Sequence, residues 1–279
     1  MKRIIVADSA SNVFEFDGGM DYACTPLKIL IDGQSFEDVK GVDLEDMVNK
    51  MERSAASSSS CPNTAEWLDA FEGHDEIFAV TISSRLSGSY NAAMVAKQEY
   101  EESHPGAQVE VVDSRMTGPG ERLIMEKIAE LAAAGLSFDS IKEKLAEYRQ
   151  RMHLCFSLAS IHNLAKNGRV SHLTATLFGV LGIRLLGRAS DEGTIESVAK
   201  VRGEKGGIRS VVGELVEKGY QGGKCYISHT LDADLAGRLK EAILSRFPGS
   251  HIFIEANTAL CSYYAERHGL IIGFEGGPR

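Results

Sequence analysis

Short, largely apolar runs alternate with stretches of helical spacing through the first half of the chain. The runs are Arg3–Ala7, Leu27–Ile31, Ile77–Ile82 and Val109–Val112; the helical patterns fall near 43–54, 63–72, 88–103 and 118–134. That alternation predicts a parallel sheet covered by helices on both faces. Leu44, Met47, Val48 and Met51 form an i, i+3, i+4, i+7 stripe, which makes the first helix core-facing and its methionines packing residues. Asp32-Gly33, between KILI and QSFEDV, reads as a tight turn and adds a short antiparallel ribbon.

The pattern restarts after the charged helix 138–151. HLCFSLA at 153–159 reads as a strand, 160–166 as a helix closing at Asn167-Gly168, and 172–181 as an apolar helix. Two β runs flank the turn Asp191-Glu192-Gly193. Helix 204–218, strand 225–228, helix 232–246, strand 251–255 and a helix–strand pair ending near Phe274 follow. A chain of 279 residues exceeds the roughly 100–200 residues usual for one domain. Two α/β domains are therefore expected, 1–150 and 151–279, with the helix 138–151 as connector.

Composition narrows the partners. A net charge of −9 argues against a nucleic-acid surface, which draws on clustered Lys and Arg. The basic positions from Arg184 to Arg209 are diluted by Asp191, Glu192, Glu196 and Glu204 and read as a solvated face, with a protein or phosphate contact as the other reading. No run approaches the roughly 18 apolar residues of a membrane span, and MKRIIVADSAS enters a strand with no signal-peptide pattern, so a cytoplasmic protein is expected. Five widely spaced cysteines without a Cys-x-x-Cys pair fit reduced thiols. The eight histidines show no metal-ligand spacing, and neither a metal nor a cofactor is expected.

The chemistry concentrates in two hydroxyl-rich segments, TISSRLSGSY at 81–90 and SSSSCPNTAEW at 57–67, each ahead of a helix. Helix N-termini at the carboxyl edge of a parallel sheet favour an anionic group, and neutral O–H and N–H donors suffice to hold a carboxylate or phosphate. Helix capping is the competing role: Ser87 or Ser89 for one helix, and Asn63 with Glu66 as a capping box for the other. A hydrolase with Ser87 as nucleophile and His229 or His268 as base is a further reading, weakened because LSGS lacks the Gly-x-Ser-x-Gly elbow. A binder of phosphate or a phosphorylated sugar also fits the hydroxyl loops.

The order of the motifs resembles the DegV family of fatty-acid-binding proteins. The matching segments are IVADSAS at 5–11, TPLKILIDGQSFED at 25–38, the Ser-Ser-Cys-Pro segment, TISSRLSGSY, VVDSR at 111–115, LAKNGRVS at 164–171, KVRGEKGGIR at 200–209 and YISHTLD at 226–232. The resemblance implies a long-chain fatty acid held between the two domains, its carboxylate presented to an ATP-dependent fatty-acid kinase that makes the acyl phosphate, and no catalysis by the carrier itself. It places the family's carboxylate-binding hydroxyls on Ser59 and Ser87, its GGR arginine on Arg169 and a partner-docking arginine on Arg202. The apolar stretch 173–183 becomes a candidate tunnel wall. The family's C-terminal glycine-rich pattern is replaced by TALCSYYAERHGLIIGF at 258–274. Tyr264 falls on the family's head-group histidine, and His268 lies one helical turn later, so either could complete the head-group site. Cys61-Pro62-Asn63 stands where Gln-Pro-Ser is usual.

Overall fold

The structure, a computed structural model, describes residues 1–170 and 182–278. The apolar helix expected at 172–181 lies outside the described residues, as does most of the tunnel wall expected at 173–183.

In chain order the first half contains strands β1 (Arg3–Asp8), β2 (Asp21–Thr25), β3 (Lys28–Ile31) and β4 (Gln34–Glu37), helix α1 (Leu44–Arg53) and strand β5 (Ser57–Ser60). Helix α2 (Thr64–Phe71), strand β6 (Glu76–Thr81), helix α3 (Ser89–Ser103), strand β7 (Gln108–Asp113) and helices α4 (Pro119–Ala133) and α5 (Phe138–Arg149) follow. Strands β2, β1, β6 and β7 form an all-parallel sheet in that order. Every residue of β6 is buried, the mark of a central strand covered on both faces. The chain leaves β1 toward β2 on one side and leaves β6 toward β7 on the other, so the β1/β6 boundary is a topological switch point, where open α/β sheets form ligand crevices.

Three features of this half differ from the sequence expectation. The run Leu27–Ile31 does not enter the parallel sheet. As β3 it pairs antiparallel with β4, forming the expected ribbon, and also with β5. Strand β5 is the serine run itself: four residues of low β propensity become a strand because Ile29 and Ile31 pair with Ser59 and Ser57. Tertiary pairing here overrides local preference. Strand β2 carries no long apolar run, because an edge strand buries little of its surface.

The second half begins with β8 (Met152–Leu158) and α6 (His162–Lys166). Strands β9 (Ile183–Ala189) and β10 (Ile195–Arg202), helix α7 (Gly203–Glu217), strand β11 (Lys224–His229), helix α8 (Ala233–Arg246), strand β12 (His251–Ala256), helix α9 (Ala259–Ala265) and strand β13 (Leu270–Glu275) complete it. The strands form one sheet ordered β10-β9-β8-β13-β11-β12, antiparallel except for the parallel pair β11/β12. The fold is thus mixed α/β, with a parallel sheet in the first half and a second sheet in the last.

The largest hydrophobic cluster belongs to both halves. It joins Ile5, Phe78 and Val80 of the parallel sheet, Leu123, Ile124 and Ile128 of α4, and Leu154, Phe156 and Ile271 of the second sheet. Helix α4 is the wedge between the sheets. At Gly273 of β13 any Cβ would meet the Pro119 backbone at 2.8 Å, so only glycine lets the start of α4 approach this closely. Helix α9 crosses back as well: Ala259, Leu260 and Tyr263 pack with Leu27, Ile29 and Met47. Among the described residues no helix is long and apolar enough to cross a membrane.

Candidate functional site

The carboxyl ends of β1, β6 and β7 open into three short loops, and carboxylates of the two flanking strands hold the central one in shape. Asp8, the last residue of β1, accepts hydrogen bonds through Oδ2 from the Ile82 amide (3.0 Å) and the Ser89 hydroxyl (2.6 Å). A single oxygen thus fixes both ends of the segment 82–89. Asp113, at the end of β7, accepts from the Ser84 amide (3.1 Å), the Ser84 hydroxyl (2.6 Å) and the Arg115 amide (2.9 Å). Burial pushes the Asp8 carboxyl up to about 6. Glu121, in the first turn of α4, is fully buried; burial, then the adjacent Asp8 charge, hold its carboxyl well above the usual range, so it stays protonated where Asp8 ionises.

These loops border a cavity of about 270 Å³ between the two sheets. Leu27, Ile82, Leu86 and Met116 line it from the first half, and Leu154, Phe156, Leu158, Leu164 and Ile271 from the second. Ser59, Ser60, Cys61, Ser87, Arg169 and Tyr264 line it too, as do Arg115 and Thr117. A concave, mostly apolar site with a few placed polar groups is the usual form of a small-molecule pocket. Among the described residues lining it there is no histidine and no carboxylate.

Four of the five candidate residues therefore share one wall. The alternation of β5 turns Ser57 and Ser59 to the same, less exposed face, toward the paired tyrosines of α9. Ser59 Oγ and Tyr264 Oη lie 2.8 Å apart, and Tyr263 donates to Ser57 Oγ at 3.0 Å. The partner of Tyr264 is Ser59, not Ser87. Burial raises the Tyr264 phenol above its ordinary value, with the Ser59 hydrogen bond and the Arg169 charge pulling the other way; the group is a neutral hydroxyl at physiological pH. Ser87 Oγ accepts from the Ser89 amide at 3.3 Å, while the α3 N-cap is Gly88, without a side-chain cap. Ser89, the other capping candidate, is committed to Asp8. The capping box of Asn63 and Glu66 does form at α2. Arg169 donates to the carbonyls of Leu86 (3.2 Å) and Asn167 (2.6 Å), with its guanidinium 5.8 Å from the Tyr264 ring centre. Its positive charge thus sits beside the Ser87 loop.

His268 is placed elsewhere. Its left-handed φ of 65° turns the side chain out of the α9 register, and Nδ1 meets Asp232 Oδ2 at 2.8 Å on an exposed surface. It does not line the cavity, and neither does His229, whose Nδ1 accepts from the Asp232 amide at 3.2 Å. The hydrolase reading loses both candidate bases. Arg202 is exposed at the start of α7, away from the cavity lining. Among the described residues no group of three or more His, Cys, Asp or Glu is placed to hold a metal ion.

Residues 2–272 match the family model described as "Uncharacterised protein, DegV family". The chain belongs to the DegV family. A DegV domain-containing protein of Streptococcus pneumoniae is 40% identical over 255 residues, 91% of each chain. Among solved structures, a DegV family protein from Eubacterium eligens loaded with heptadecanoic acid shares 39% identity at a TM-score of 0.95, over 99% of this chain and 100% of that one. The Streptococcus pneumoniae Fatty Acid Kinase (Fak) B3 protein loaded with linoleic acid shares 38% identity at 0.96, with the same coverage. Both of these solved DegV relatives hold a fatty acid.

Within this DegV chain the sequence expectation overlooked Asp8 and Asp113, which shape the hydroxyl loop without touching the cavity. Their signal was present: IVADS and VVDS each end an apolar run with Asp-Ser, an arrangement that leaves a carboxylate at the carboxyl edge of the sheet. Cys261, also on the cavity wall, is fully buried. Its thiol donates to the Ala10 carbonyl at 3.3 Å, and burial pushes its pKa well up, so it behaves as a small apolar residue.

Proposed function

We propose that this chain is a cytoplasmic, non-catalytic carrier that holds one long-chain fatty acid between its two α/β domains, 1–150 and 151–279. The carboxylate is presented to an ATP-dependent fatty-acid kinase for acyl-phosphate formation. The observation that carries this reading is the cavity itself: an apolar wall drawn from both sheets, with the hydroxyls of Ser59, Ser87 and Tyr264 and the charge of Arg169 on its polar side. Burial of roughly fifteen methylenes at ~0.8 kcal/mol each offers about 12 kcal/mol gross, reduced by the rotational and translational cost of association. The tail supplies affinity and the hydroxyls supply orientation. Hydrogen-bond donors without a lysine clamp leave a carboxylate oxygen available to attack a phosphoryl group, and the absence of a base among the described lining residues favours a carrier over a hydrolase. A phosphorylated sugar would leave the apolar wall facing polar hydroxyls.

Mass spectrometry of an organic extract of the purified protein tests the proposal. A long-chain fatty acid at near-stoichiometric occupancy is expected after expression in a bacterial host. Lipid-free extracts, together with no thermal stabilisation by added fatty acid, would overturn it. Transfer of the γ-phosphoryl group of ATP to the bound acid, on addition of a fatty-acid kinase, tests the second half.

A further inference from the structure

Strand β8 sends Leu154, Phe156 and Leu158 to the cavity, while Cys155 packs in the opposite core and Ser157 bonds Arg184. Phe156 stands in a row across the sheet, paired with Ile271 of β13 on one side and Gly187 of β9 on the other. Directly opposed residues of an antiparallel pair point to the same face, with Cβ atoms ~4.5–5.5 Å apart. Position 187 therefore faces the cavity side, yet carries no side chain and does not line the cavity. The Phe156 ring occupies that space: a Cβ at 187 would stand 2.3 Å from both Cε2 and Cζ. The ring lies down over Gly187, along the sheet, instead of standing up into the cavity.

Glycine at this position is not explained by its backbone. Its φ lies outside the left-handed region, and glycine in a strand interior forfeits stability that a β-branched residue would supply. What the missing side chain allows is close approach of the Phe156 ring and of the Glu196 carbonyl, whose oxygen would stand 2.8 Å from a Cβ at 187, next to the irregular pairing of Ser197 and Ala199.

We infer that Phe156, laid flat over Gly187, sets the depth of the cavity and so selects the length of the acyl chain. The inference rests on the proposal that the ligand is a fatty acid. Side chains occupy discrete rotamers, so a ring displaced from Gly187 must swing into another well, and a cavity-facing strand position leaves the cavity as its open side. Depth is thus governed by a pair of residues distinct from the polar lining groups Ser59, Ser87, Arg169 and Tyr264.

The test compares the full-length protein with F156A and G187A, measuring affinities for tetradecanoic, octadecanoic and eicosanoic acids together with the chain lengths of co-purified lipid. F156A should favour longer acids, the affinity ratio of eicosanoic to tetradecanoic acid rising roughly fourfold for each additional methylene the opened space buries. G187A should shift the ratio toward the shorter acid, and adding F156A to it should reverse that shift. F156A leaves the strand backbone unchanged and decides the matter alone should G187A fail to fold. A wild-type preference for chain length that persists in F156A while the acid still binds would overturn the gauge. A wild-type protein that binds none of the three acids would instead overturn the lipid reading on which it rests.

Discussion

Asp38 links the β3/β4 ribbon to α9, and its burial makes the stability of the protein depend on pH in an unusual direction. The side chain is fully buried and accepts from the Ala259 amide at 2.7 Å and the Thr258 hydroxyl at 3.1 Å. Burial raises its carboxyl from 3.8 to about 6, outweighing the hydrogen bonds from Ser9, Leu260, Ala259 and Thr258 that lower it. Between those two values the native state holds a proton that the unfolded chain has released, so stability falls as pH rises through this window. The full cost above both values is about 3 kcal/mol, of which about 2 kcal/mol accrues between roughly pH 4.5 and 7.5. D38N removes the titration while keeping an oxygen for the Ala259 amide. Urea unfolding followed by fluorescence of Trp67, the single tryptophan and fully buried, reads the difference. The wild-type unfolding free energy should drop by about 2 kcal/mol more than that of D38N across that pH range, roughly 0.5–1 M in urea midpoint for a domain of this size. Parallel pH profiles for the two proteins would refute the argument, because they would mean that Asp38 titrates alike in the folded and unfolded chain.

The head-group side yields further expectations. S87A should weaken fatty-acid binding by roughly 1–3 kcal/mol and S59A by a similar or smaller amount, with non-additive effects in the double variant if both hold one carboxylate; isothermal titration of the acid measures all three, and unchanged affinities would return the serines to a structural role. Y264F should weaken binding through loss of the hydroxyl shared with Ser59, while H268A, whose ring faces Asp232, should leave it nearly unchanged. Affinity should vary little between about pH 6 and 8, since a raised phenol stays neutral there whereas a histidine would change charge. A decline through that range that disappears in H268A would place His268 in the site instead.

Three of the four parallel strands, β1, β6 and β7, and the helices around them were legible because buried strands and amphipathic helices leave periodic signatures that do not depend on distant partners; the edge strand β2 left none. Met47, Val48 and Met51 are core residues as their spacing implied. The serine strand was not legible, since Ser57–Ser60 become extended only when Ile29 and Ile31 lie beside them. The displacement of Leu27–Ile31 from the main sheet has the same origin: a β run states its propensity, not which strand it joins. At the site, the hydroxyl segments could be read from composition at strand ends. The separation of Tyr264 from His268 could not, because four residues would bring them to one face of a continuous helix. That helix ends at Ala265, and the positive φ of Glu266 and His268 turns the chain away.

Helix α9 comes from residues 259–265, yet it completes the cluster around Leu27, Ile29 and Met47 and carries Tyr264 to the serine strand. During synthesis, the ribbon and first sheet therefore emerge long before the helix that covers them. Contacts spanning more than 200 residues close last and incur the largest loop entropy. A chain arrested after its first half would present the Ser59 face and the Leu27 cluster to water, with no tyrosine opposite. Completion of the cavity wall is in this way tied to finishing the polypeptide, and a truncated product would expose aggregation-prone apolar surface.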